Sequence, residues 1–134
     1  MPKLITIEGI GDTYAEKLKQ CGIQSIEDLL LKAGTPKGRK EISEKSGISA
    51  QLILEWANQA DLMTIDGIGP QNADLLRACG IDVVPVLALR DPGALHEKMI
   101  EVNNEKHLVI KVPSEQEIAK WIRQALRSPR RIRY

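Results

Sequence analysis

The chain has 134 residues, 43% of them apolar, enough to bury a core in one medium domain or two small ones, so disorder is excluded as a reading. No apolar run approaches the roughly 20 residues that cross a bilayer, and the opening Met1-Pro2-Lys3-Leu4-Ile5 lacks the length and cleavage pattern of a signal peptide; a cytoplasmic protein with no membrane contact is expected. The net charge of +1 conceals an uneven spread, because residues 1–60 are balanced, residues 61–122 carry −4 and residues 123–134 carry +5.

The first predicted feature is the turn Ile7-Glu8-Gly9-Ile10-Gly11. A helix follows, with Tyr14, Ala15, Leu18 and Cys21 near helical spacing and Gly22 as a stop that tolerates positive φ. Ser25 with Asp28 resembles a capping box, and Ile26, Leu29 and Leu30 give the next helix an apolar face that ends at Gly34. Thr35-Pro36 opens a third helix, a cap residue before a proline at the first helical position, which runs through Ile42 to Gly47. The fourth starts at Ser49 and places Ile53, Trp56, Ala57 and Ala60 on one face.

The same order then repeats. Ile65-Asp66-Gly67-Ile68-Gly69 returns at an offset of 58, with Ala73, Leu76 and Cys79-Gly80-Ile81 in step. Asp91-Pro92 starts the counterpart of the third helix, containing Leu95, Met99 and Ile100. Ser114 to Ala125 matches Ser49 to Ala60 at an offset of 65, and Ser114 with Glu117 fits a capping box. Seven residues have been gained, placed here near residues 103–113, where His107-Leu108-Val109-Ile110-Lys111-Val112-Pro113 is β-branched and predicted to be an extended connector rather than part of a sheet. The expected domains are residues 1–60, residues 61–127 and a basic tail, residues 128–134.

A Gly-Ile-Gly corner leaves unpaired amides at the start of the following helix, where the helix dipole favours an anion, and a phosphate is a natural occupant. Both copies resemble the helix-hairpin-helix motif, hydrophobic-x-Gly-hydrophobic-Gly-x-x-x-Ala. With Gly38-Arg39, Ser46-Gly47-Ile48-Ser49, Trp56, Ala60-Asp61-Leu62-Met63, Asn103 and Pro113-Ser114 through Trp121-Ile122, nearly the whole chain is similar to an uncharacterised bacterial group, domain-of-unknown-function family 4332. The resemblance implies an all-α fold of two tandem helix-hairpin-helix units, bundle repeats of the SAM-like kind, packed as one compact body. It also implies sequence-independent DNA-backbone binding through Gly9, Gly11, Asp12 and Thr13, and through Gly67, Gly69 and Gln71.

Acidic neighbours distinguish the corners from the usual basic surroundings of such motifs: Glu8, Asp12 and Glu16 at the first, Asp66 and Asp74 at the second. Pro70 also removes one donor, so the first corner is the better candidate, helped by Lys17 and Lys19 and by Lys37, Arg39 and Lys40. In the tail, Arg130, Arg131 and Arg133 fit three roles: contact with phosphate, folding back onto the acidic body, or reaching an acidic patch on a second copy. Cys21 and Cys79 read as small buried residues, and His96 and His107 as surface or packing residues. No phosphate loop, nucleophile with a histidine base, or histidine-bearing metal cluster is found, so no enzyme activity, cofactor or metal is expected. Two functions remain: weak nucleic-acid binding, or a protein-interaction scaffold, self-association included, whose corners are architectural.

Overall fold

The structure, a computed structural model, describes residues 3–134; Met1 and Pro2, from the opening searched for a signal peptide, lie outside the described residues. Among these residues the chain forms eight α-helices and no strand. They are α1 (Asp12–Gln20), α2 (Ile26–Ala33), α3 (Pro36–Ser46), α4 (Ala50–Leu62), α5 (Pro70–Ala78), α6 (Val84–Ala88), α7 (Pro92–Lys106) and α8 (Glu115–Arg127), with a short 3-10 turn at Leu4–Thr6. Two compact units result. The first contains the described residues up to Asp61 together with Arg130–Tyr134, and the second spans Leu62–Pro129.

Local chemistry sets most helix boundaries. Ser25 Oγ accepts from the Asp28 amide at 3.0 Å, while the Asp28 carboxylate accepts from the Gln24 amide, one residue earlier than a capping box would direct it. Thr35, Ser49, Asp91 and Ser114 accept from the amides of Gly38, Leu52, Ala94 and Glu117. At the other end, α1 and α5 stop in the same way. The Gly22 and Ile23 amides donate to the Lys19 and Leu18 carbonyls, and those of Gly80 and Ile81 donate to Arg77 and Leu76, all at 2.9 Å. This double closure needs a left-handed residue, supplied by Gly22 at φ +80° and Gly80 at φ +87°.

In the first unit, α1 and α2 both pack on α3, and Leu18, Ile23, Ile26, Leu29, Ile53 and Trp56 are buried. In the second, α8 packs on α6 and α7 while α5 packs on α7, burying Leu75, Leu76, Ile81, Leu87, Met99, Ile118 and Trp121. Ile100 lies on the helix with Leu95 and Met99, as expected, and its side chain is exposed.

The extra length of the second copy is distributed differently from the single insertion expected. Its second helix has five residues where α2 has eight, its third helix is four residues longer than α3, and residues 107–114 replace residues 47–49. The segment from His107 to Pro113 is neither helix nor strand. Asn103, half-buried near the end of α7, pins it: its side-chain amide donates to the Val109 carbonyl at 3.0 Å and its side-chain oxygen accepts from the Val109 amide at 2.9 Å. Ile110 is fully exposed beyond that clamp.

Candidate nucleic-acid interface

The two corners are built alike. Gly9 has φ +91° and Gly67 φ +93°, a region in which L side chains are strained. The amides of Ile10 and Ile68 close the turn onto the Ile7 and Ile65 carbonyls at 3.0 Å, burying both isoleucines that follow the first glycine. A tryptophan backs each corner: a Cβ added to Gly9 would lie 3.4 Å from Trp56 Nε1, and one added to Gly67 only 2.7 Å from Trp121 Nε1. Each tryptophan, four helices along its own copy, thereby sits inside its own unit and fixes the glycine against the core.

Gly11 and Gly69 precede α1 and α5 in extended conformation, and neither helix has a side-chain cap. The first hydrogen bonds inside these helices come from Ala15 to Gly11 and from Ala73 to Gly69. The α1 amides before Ala15, those of Asp12, Thr13 and Tyr14, therefore precede the helical ladder. Gly9, Gly11, Asp12 and Thr13 are all exposed. At the second corner Gly67 and Gln71 are exposed and Gly69 is half-buried. There the main chain is more committed, because the Asp66 amide donates to Gln124 Oε1 at 3.0 Å and Asn72 donates to the Gly67 carbonyl at 3.3 Å.

Lys17 and Lys19 are exposed on α1. The Lys17 ammonium stands 5.9 Å from the Tyr14 ring, which meets Trp56 edge-on at 5.2 Å between centroids. Lys19 lines an open hollow of about 500 Å³ with Lys3, Asp12, Glu16 and Gln24, so cations and carboxylates share that face.

The tail belongs to the first unit. Ile132 is buried, the Arg133 amide donates to the Gly34 carbonyl at 2.7 Å, and Tyr134 Oη donates to Asn58 Oδ1 at 2.9 Å. Arg131 pairs with Asp61 at 3.4 Å. Burial raises the Asp61 pKa, partly opposed by the Arg131 charge. The Arg130 and Arg133 side chains are exposed. With the tail included, the first unit holds eleven Lys/Arg against nine Asp/Glu, and the second holds eight against nine. The charge contrast between the units is thus much smaller than the linear blocks imply.

Arg39 is a correction to the sequence reading, which grouped it with Lys37 and Lys40 as a helper at the first corner. It is 5% exposed, and its guanidinium donates to the Ala33 carbonyl at 2.9 Å and the Arg133 carbonyl at 2.6 Å. Burial lowers its pKa. The available signal was its register, three residues before Ile42 on the inward face of α3. Gln124 was likewise legible only as a repeat identity with Gln59.

Cys21 is half-buried and Cys79 buried, and desolvation pushes the Cys79 thiol pKa up against the pull of Lys98 and Arg90, the opposite of an activated thiol. Among the described residues no three His, Cys, Asp or Glu side chains gather as a metal site, and no helix is long and apolar enough to cross a membrane.

The sequence profile of a domain of unknown function, DUF4332, matches residues 8–128. The chain belongs to that family. The match takes in the glycines of both corners and both tryptophans and stops before the residues of the tail that dock on the first unit. No curated protein and no solved structure matches the chain.

Proposed function

We propose that each unit is a helix-hairpin-helix element and that the protein is a non-catalytic, sequence-independent binder of the nucleic-acid backbone, acting through the first corner. The observation that carries this reading is a contrast among helix starts. Ser25, Thr35, Ser49, Asp91 and Ser114 each place a side-chain oxygen on a first-turn amide, whereas α1 and α5, the helices after the glycine corners, start from a glycine with no such cap; the five-residue α6, which follows Val83, also lacks one but has no glycine corner before it. An exposed phosphate oxygen supplies the acceptor that the chain withholds there.

The first corner leads because it keeps the Asp12 amide that Pro70 lacks, and because Lys17 and Lys19 stand on the same helix. Asp12 and Glu16 oppose the anion, which keeps the binding weak. Arg130 and Arg133, exposed on the same unit, add cationic side chains without a free arm. A cytoplasmic location suits this role.

Fluorescence anisotropy with labelled duplex and single-stranded DNA at two salt concentrations tests the proposal. Two engaged lysines give a log–log salt slope of about −1.8, so fourfold more salt weakens binding by roughly tenfold. Thr13→Pro removes a main-chain donor in the first helical turn, where proline is tolerated, and lowers affinity with no change in charge. Absence of binding at low ionic strength overturns the reading and leaves the protein-interaction scaffold.

A further inference from the structure

Residues 130–134 lie in a groove of the first unit lined by Gly34, Arg39, Asn58 and Asp61, which hold the segment by its main chain and by its side chains. Gly34 forms the floor: a Cβ there would lie 2.7 Å from the Arg131 carbonyl oxygen, so the peptide lies directly against a glycine surface. The Gly34 carbonyl takes the Arg133 amide and the buried Arg39 guanidinium takes the Arg133 carbonyl, so both main-chain groups of one tail residue are bound. Side-chain selection is added on either side, with Ile132 buried, Arg131 paired to the largely buried Asp61, and Tyr134 bonded to Asn58. Main-chain bonds supply affinity that any peptide could use, and the side-chain contacts at residues 131, 132 and 134 supply specificity.

We propose that this groove binds a peptide of the form basic, apolar, basic, aromatic, and that its ligand in trans is residues 130–134 of a second copy of this chain. The tail follows α8 in sequence, and Gly34, Arg39, Asn58 and Asp61, which hold it, all belong to the first unit, so the segment docks on a unit other than that of the helix it follows. Ser128 ends α8 in extended conformation at ψ 134°, as the residue before a proline should, and Ser128-Pro129 is the only linker between helix and docked segment. Because the groove contacts are the same in cis and in trans, concentration and linker geometry decide between the closed monomer and a tail-exchanged pair. Charge complementarity names the partner, since the acidic Asp61 receives the arginine that precedes the apolar anchor.

The test uses the full chain. Sedimentation equilibrium over a wide concentration range should give a monomer–dimer equilibrium for the unaltered protein and a monomer for Ile132→Asp, with circular dichroism confirming that the variant stays helical. A labelled peptide of residues 128–134 should then bind Ile132→Asp saturably, and the same peptide carrying Asp in place of isoleucine should bind about tenfold more weakly or worse. Arg131→Gln, a milder change, should weaken the dimer while leaving helicity intact, and provides the readout if Ile132→Asp misfolds. A chain that is monomeric at every concentration overturns the exchange, even if the peptide binds. A dimer that survives both substitutions overturns it as well, by placing the interface elsewhere.

Discussion

The two glycines at the heads of the corners have almost the same φ yet unequal surroundings, and alanine separates the two effects. At Gly9 the added Cβ lies at ordinary contact distance from Trp56 Nε1, 3.4 Å, so the cost is the strained backbone alone, about 1–2 kcal/mol. At Gly67 the same strain applies, and the Cβ also lies 2.7 Å from Trp121 Nε1. The indole is buried and cannot swing away, so overpacking adds about 1–3 kcal/mol, bringing Gly67→Ala to roughly 2–5 kcal/mol. Gly11→Ala and Gly69→Ala are the controls, in extended conformation with nothing within 4 Å, and each should fall within about 1 kcal/mol of the parent. Urea denaturation followed by tryptophan fluorescence is the assay, since each unit contains one tryptophan. For a cooperative unit of this size each kcal/mol lowers Tm by about 4–8 °C. If Gly9→Ala proves as costly as Gly67→Ala, the indole contact is not what fixes the second corner.

Arg39→Ala should cost about 2–4 kcal/mol by leaving the Ala33 and Arg133 carbonyls unpaired, and it should speed carboxypeptidase release of Tyr134; unchanged release would mean that the guanidinium does not hold the tail. Asp61, with its pKa raised by burial, should titrate above 3.8 by carboxyl NMR, and Asp28, lowered by its bond from the Gln24 amide, below 3.8. The signs are opposite. The Asp61 contribution to stability is fully present below the unfolded pKa and is lost as pH rises through the folded one, while that of Asp28 is present above the unfolded pKa and lost as pH falls through the folded one; matching midpoints for the two carboxyls would contradict this. Asp12→Asn removes a negative charge beside the open amides of α1 and should tighten DNA binding severalfold at low salt, an effect that high salt erases.

What the sequence made legible was local. Ser25, Thr35, Ser49, Asp91 and Ser114 cap their own helices from positions just before them, and Gly22 and Gly80 end theirs by a turn that only a left-handed residue closes. The corners were readable for the same reason, since every bond that shapes Ile7 to Gly11 is made within a few residues. The tail was not readable, because its decisive bond joins Arg39 to a residue 94 positions away and its anchor is one isoleucine among arginines. Periodicity carries no information about which distant groove receives such a segment. The loop after α7 shows the intermediate case: its lack of helix followed from β-branching and proline, but the side chain that holds it, Asn103, has a sequence partner only once the helix is known to reach Lys106.

The paired corners also explain why the second unit is the weaker candidate for anion binding although it keeps the same backbone. At the first corner the chain spends no side-chain cap on α1, and the four residues from Gly9 to Thr13 other than Ile10 are open to solvent. At the second, proline deletes a donor at the start of α5, Asn72 occupies the Gly67 carbonyl, and Gln124 holds both the amide and the carbonyl of Asp66. The duplicated geometry therefore has two different surroundings for one turn. In the second unit the turn is tightened by amide side chains beside Trp121, and in the first Gly9, Gly11, Asp12 and Thr13 are exposed residues. A ligand that needs only main-chain donors and tolerates nearby carboxylates would choose the first, and a Pro70→Asp exchange, which restores the missing amide, should not be enough to make the second its equal.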